Sequence, residues 1–162
     1  MKLMLPIVPL ISSFVMLTAA VGQAPAEPSG PIILNVAKGN ALVSGNVSTG
    51  YNLFQFEGSQ GQTITLDVDV TEILAGTSHT DEDSQLYLLD HQGRILAYND
   101  DETENNFESR ISQFILPKSG TYYAAVTTFG NTPVINDQQQ ITAWNNSGLS
   151  HIRYDLLVQS HQ

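Results

Sequence analysis

The sequence predicts an all-β protein, an antiparallel β-sandwich of jelly-roll type with seven to eight strands. Three observations lead there. Residues Thr63 to Val70 alternate without a fault, with Ile64, Leu66, Val68 and Val70 on one side and Thr63, Thr65, Asp67 and Asp69 on the other. That is the period of a strand with one buried and one wet face. Short apolar or aromatic runs recur along the chain, separated by turns containing Gly, Pro, Asn and Ser, the spacing of sandwiches and barrels. No segment of useful length carries a helical period.

The elements follow in order. Met1-Lys2 precedes an apolar run from Leu3 to Ala20, interrupted by Pro6 and Pro9, and Ala24-Pro25-Ala26 offers a small-residue cleavage site. This predicts a signal peptide over residues 1–26, removed on export. The two prolines and the small residues after the run weigh against a retained membrane anchor. Residues 27–31 read as a linker and 32–160 as one sandwich domain, a size that suits a single core. Strands are expected at Ile32–Val36, Tyr51–Phe56, Thr63–Val70, Gln85–Asp90, Arg94–Asn99, Arg110–Leu116, Thr121–Thr127 and His151–Gln159. In the last of these Ile152, Tyr154, Leu156 and Val158 share a face. Ala41 to Gly50 has little periodicity and reads as a loop with room for a short edge strand. Thr128 to Ser150 is the longest irregular stretch.

Composition narrows the function. The 162 residues contain no cysteine and carry a formal charge of −10. Disulfides, thiol nucleophiles and Cys-ligated metals are therefore excluded. Nucleic acid demands a basic footprint, and an anionic membrane surface demands the same. Neither is an expected partner. The charge suits an exported protein, in periplasm or medium, kept soluble by repulsion or collecting cations.

The most informative stretch runs from Asp81 to Glu104, where eight of 24 residues are acidic and Arg94 alone is basic. His91-Gln92-Gly93 joins two apolar strands, with Asp90 leading in and Gly93 at the left-handed position of a bulged hairpin. If Asp90 pairs with Arg94, facing positions sum to 184. Leu86 then faces Tyr98, Leu88 faces Leu96, and Asp83 lies across from Asp101. The hairpin buries Leu and Tyr and gathers carboxylates at its open end, where they repel one another unless water or a cation separates them. Asp83, Asn99, Asp100 and Asp101 are hard oxygen donors with no His among them, which suits calcium rather than zinc or copper. A solvated acidic loop is the other reading. The stretch is not an EF-hand, since it lacks alternating ligands and the loop glycine.

The order of motifs is itself distinctive: Tyr51 to Phe56, Gly61-Gln62, the alternating strand, Asp83 with Leu86-Tyr87-Leu88, Gly93, Asn99-Asp100-Asp101, and Gly120-Thr121-Tyr122-Tyr123 with Val126. Over roughly Ile32 to Gln159 this resembles the bacterial pre-peptidase C-terminal domain, a β-sandwich module found behind secreted proteases. The resemblance implies a non-catalytic domain that aids secretion or holds an enzyme on its substrate. It also implies calcium at Asp83, Asn99, Asp100 and Asp101, since some members bind that ion. Two features depart from the pattern: no protease domain precedes the module in this sequence, and the stretch from Thr128 to Ser150 is longer than the family's usual link.

That stretch carries Phe129 and the single Trp144 among amide side chains, a composition suited to stacking on a sugar or peptide of an extracellular polymer. The competing reading is that Trp144 and Ile141 fold back as a lid over the sandwich edge. Hydrolytic chemistry is not expected. There is no G-x-S-x-G elbow and no H-E-x-x-H, and His79, His91, His151 and His161 are scattered.

Overall fold

Two sheets face each other across an apolar core in the computed structural model, which describes residues 30–36, 39–79 and 81–161. The expected signal peptide (1–26) and most of the linker lie outside them. One sheet runs β1 (Ile32–Ile33), β3 (Asn52–Gly58), β8 (Gly120–Thr128), β5 (Ser84–Asp90), β6 (Ile95–Asn99). The other runs β2 (Asn40–Val47), β11 (Ile152–His161), β4 (Thr63–Ile73), β7 (Arg110–Ile115). A separate hairpin pairs β9 (Pro133–Ile135) with β10 (Ile141–Trp144). All pairings are antiparallel except that of β1 with β3. Among the described residues no helix is long and apolar enough to cross a membrane.

The alternating strand behaves as its pattern requires. Ile64, Leu66 and Val68 of β4 meet Ile152, Tyr154, Leu156 and Val158 of β11 on the buried side, with Phe54, Phe56, Leu86 and Leu88 from the opposite sheet. The described residues form eleven strands, three more than the eight expected from the sequence, and each addition has a cause. Residues Asn40–Val47, read as mainly loop, form a full edge strand whose register with β11 runs unbroken from Asn40↔Gln159 to Val47↔Ile152. Its inward row is Ala41, Val43, Gly45 and Val47, too small and too glycine-interrupted to show as an apolar stripe. The glycine is there for space: a Cβ on Gly45 would stand 2.6 Å from the hydroxyl of the buried Tyr154.

The other two additions lie in the stretch read as irregular. The β9–β10 hairpin folds back so that Ile141 and Trp144 pack on Tyr87, Leu89 and Ala125, on the outer side of the five-stranded sheet. That cover explains β5. Leu86 and Leu88 belong to the main core and Tyr87 and Leu89 to this second cluster, so the strand is buried on both faces and shows no alternation.

Adding a methyl at Gly45 is expected to overpack the Tyr154 hydroxyl. Gly45→Ala should lower stability by about 1–3 kcal/mol in urea unfolding, and an unchanged midpoint would show that β2 is loosely held.

Candidate metal centre and its surroundings

The turn of the β5–β6 hairpin forms as its residues predict. Gly93 has φ of +75°, its N–H donates to Asp90 O at 2.9 Å, and Asp90 Oδ1 accepts from the N–H groups of Gln92 (2.9 Å) and Arg94 (3.0 Å). The expected register holds only next to the turn, where Leu89 pairs with Ile95. An irregularity between Leu88 and Leu89 then shifts the partners by one, so that Leu88 faces Ala97, Tyr87 faces Tyr98 and Leu86 faces Asn99. The expected pairs Leu86 with Tyr98 and Leu88 with Leu96 are thus corrected. A bulge inserts one residue on one strand, and here it moves Tyr98 to the side of Tyr87.

The shift sorts the acidic end. One oxygen from each of Asp83, just before β5, and Asp100 and Asp101, just after β6, lie within 4.8 Å of one another. Asp83 and Asp100 are half-buried and Asp101 is exposed. Asp83 Oδ1 and Asp100 Oδ1 are shielded from solvent and have no hydrogen-bond partner among the described residues. Asn99 has other engagements. Its Oδ1 accepts from the Arg110 N–H at 2.7 Å and its Nδ2 donates to Asp101 O at 3.0 Å, so its side chain braces the loop that carries Asp101. Glu102 turns to Arg110 and Asn106. Gln85, which the sequence reading passed over, sits two residues beyond Asp83 and hence on the same face. Its Nε2 donates to the Tyr98 hydroxyl at 3.2 Å, and its Oε1 is buried without a partner. The signal that could have found it was a lone amide in a run of apolar residues.

The electrostatics match the crowding. Burial, then the charges of Asp100 and Asp101, push the Asp83 carboxyl up from 3.8 to about 6, with His79 opposing and Asp81 adding. Asp101 is raised by desolvation and by Asp100. Burial pushes the Tyr87 phenol up to about 12, and burial, Tyr87 and Asp100 raise that of Tyr98. Beside the carboxylates runs a row of rings. Tyr98 lies 4.6 Å from Tyr87, Tyr87 meets Trp144 edge-on at 5.3 Å, and Trp144 stacks on Tyr51 at 4.8 Å. Trp144 therefore serves as cover for the sheet, while Tyr98 (46% exposed) and Tyr51 (39%) leave the ends of the row open. Phe129 is elsewhere, against His79 at 5.3 Å.

Fold and site together define an all-β sandwich module with a carboxylate-rich hairpin end. Residues 50–128 match the family model of the bacterial pre-peptidase C-terminal domain, the family that the order of motifs resembles. The match takes in β3 to β8 and is narrower than the span over which the motifs were read. Over 77 residues the chain is 36% identical to a probable subtilase-type serine protease of Deinococcus radiodurans, a stretch that is 48% of this chain and 10% of that protein. Among solved structures, it resembles the pre-peptidase C-terminal domain of collagenase from Bacillus anthracis at 18% identity and TM-score 0.46, covering 80% of this chain and 92% of that one. It also resembles PliG of Salmonella Typhimurium, a periplasmic inhibitor of g-type lysozyme, at 17% identity and TM-score 0.47, covering 82% and 100%.

A carboxyl whose pKa is raised on folding keeps a proton that the unfolded chain has released. Folding stability then falls as pH rises through the interval between the two values. In metal-free buffer the thermal midpoint is expected to drop as pH goes from about 4 to about 6 because of Asp83. Asp83→Asn should flatten that slope, and an equal slope in the variant would remove Asp83 as its source.

Proposed function

We propose that this chain is an exported, non-catalytic binding module whose hairpin end holds calcium as a structural ion. One observation carries the reading: three carboxylates converge within 4.8 Å, and two of their oxygens are buried without a partner among the described residues. Three negative charges so close are unfavourable alone and favourable around a divalent cation. Calcium takes six to eight oxygens at roughly 2.3–2.6 Å. Asp83, Asp100 and Asp101 would supply the charge, backbone carbonyls and water the remainder, and Asn99 the support of the loop. Bound there, the ion would fasten the loop after β6 to the start of β5. The family match, and a relative in which the shared stretch is a tenth of a serine protease, support an accessory role in binding a substrate or partner or in secretion.

A second reading rests on the exposed rings. Exposed Tyr51 stacks on half-buried Trp144, a platform for an extracellular polymer that needs no ion. Binding on that platform would be lost in Trp144→Ala and indifferent to chelator.

Calorimetric titration of chelator-treated protein is expected to show heat on adding calcium, and the melting temperature should rise. At a hundredfold excess over Kd the gain is about 2.7 kcal/mol. Asp83→Asn should be at least as stable as the parent without calcium, since a repulsion is relieved, and less stable with it. No heat, together with an unmoved melting temperature at millimolar calcium, would end the proposal.

A further inference from the structure

Sheets are vulnerable at their edges, and proteins guard edges with short strands, bulges, charges, proline or a covering segment. Three of the four edges of this sandwich are guarded. Strand β1 has two residues. Strand β6 has five, and its start is tied to the β9–β10 hairpin by the bridge of the preceding Arg94 to Gln140 and the Ile95 N–H to Gln139 O bond of 3.0 Å. Strand β7 is irregular: its register with β4 slips between Ile64 and Leu66, and Gln113 has φ of +52°. Strand β2 has none of these devices. It is eight residues long, regular in register, and free of charge and proline.

The direction of its bonding groups follows from two observations. Gly39 O accepts from Ser160 N, towards β11, and Asn46 O accepts from Asn52 Nδ2 at 2.7 Å, away from it. Alternation along an antiparallel strand then turns the N–H and C=O groups of Asn40, Leu42 and Ser44 outward. Among the described residues no backbone group pairs with them.

The surroundings state the chemistry of a partner. On the outer face beside β2, Leu42 (67% exposed) and Leu157 border a shallow basin holding Asp67, Asp69, Asp155, Glu102 and Glu108 with Arg110, while Arg153, ion-paired with Glu72, stands beside Asn46 at the far end of the strand. Asp155 directly faces Asp69 on β4 and accepts from Ser44 Oγ on β2 at 2.5 Å. A long basic side chain on a strand added to β2 could lay its aliphatic stem along Leu42 and bring its charge to Asp155. A second copy of this chain, at −10, would bring repulsion to the same place.

We propose that β2 is a docking edge on which an extended, basic segment of a partner polypeptide adds as a fifth strand. This specifies the partner of the binding module proposed above and rests on that reading, though not on the cation. The test uses a synthetic strand alternating valine and lysine, and a second with glutamate for lysine, against the whole protein with chelator and again with calcium. The lysine strand should bind in both buffers and the glutamate strand in neither. Amide exchange of Leu42 and Ser44 should slow on binding, while that of Val43 and Gly45, already turned to β11, should not change. Leu42→Pro removes an outward N–H and no bond to β11, and should weaken binding about tenfold, the size of one or two backbone hydrogen bonds. Leu42→Lys keeps the N–H and should weaken it through charge, with melting curves showing that either variant is folded. Equal binding by the parent and both variants would overturn the proposal. So would unslowed exchange at Leu42 and Ser44, or a dimer through β2 that shuts the strand out. Failure here with calcium still bound would remove this surface and leave the hairpin site standing.

Discussion

The acidic end of this molecule depends on the register of one hairpin. Because side chains alternate between faces, a slip of one residue exchanges every partner beyond it. The irregularity between Leu88 and Leu89 makes that slip. It turns Tyr98 to the side of Tyr87 and frees Asn99 to receive the Arg110 N–H. Without it, Asn99 would lie on the side of Tyr87, and the loop carrying Asp101 would lose the side chain that braces it.

The cluster is tolerated because the strands beside it are anchored elsewhere. Strand β5 is covered by the core on one face and by the β9–β10 hairpin on the other. Its outer neighbour at the acidic end is a row of aromatic rings rather than water. Burial raises the affinity of Asp83 for a proton, and the same lack of solvation would raise its affinity for a cation. Proton and metal would thus compete for one feature, a carboxylate with an oxygen that no group among the described residues satisfies.

Much of this was legible in the sequence, for reasons that can be stated residue by residue. Strands β4 and β11 have one wet face, so their alternation survives in the letters. The turn at Gly93 could be read because Asp and Gly have fixed preferences there. Asp83, Asp100 and Asp101 could be placed together because a hairpin brings its ends together whatever its detailed register. What could not be read depended on distant contacts. Strand β2 was obscured because its inward residue at position 45 must be glycine to clear Tyr154, and because Leu42 sits outward. The β9–β10 hairpin was obscured because its few apolar residues answer to Tyr87 and Leu89, some fifty residues away. The bulge leaves no mark at all, since Leu88, Leu89, Ile95 and Leu96 suit either pairing.

The place of β11 has a consequence for the order of events in folding. It lies between β2 and β4, and the four-stranded sheet has no other link between those two. Ser44 of β2 and Asp155 of β11, hydrogen-bonded to each other, are 111 residues apart in sequence. Half of the sandwich thus has no centre until the last strand has been made, and contacts this far apart close slowly. Until β11 takes its place, β2 and β4 have their facing backbone edges unpaired, and the four-stranded sheet closes only when that strand slots between them.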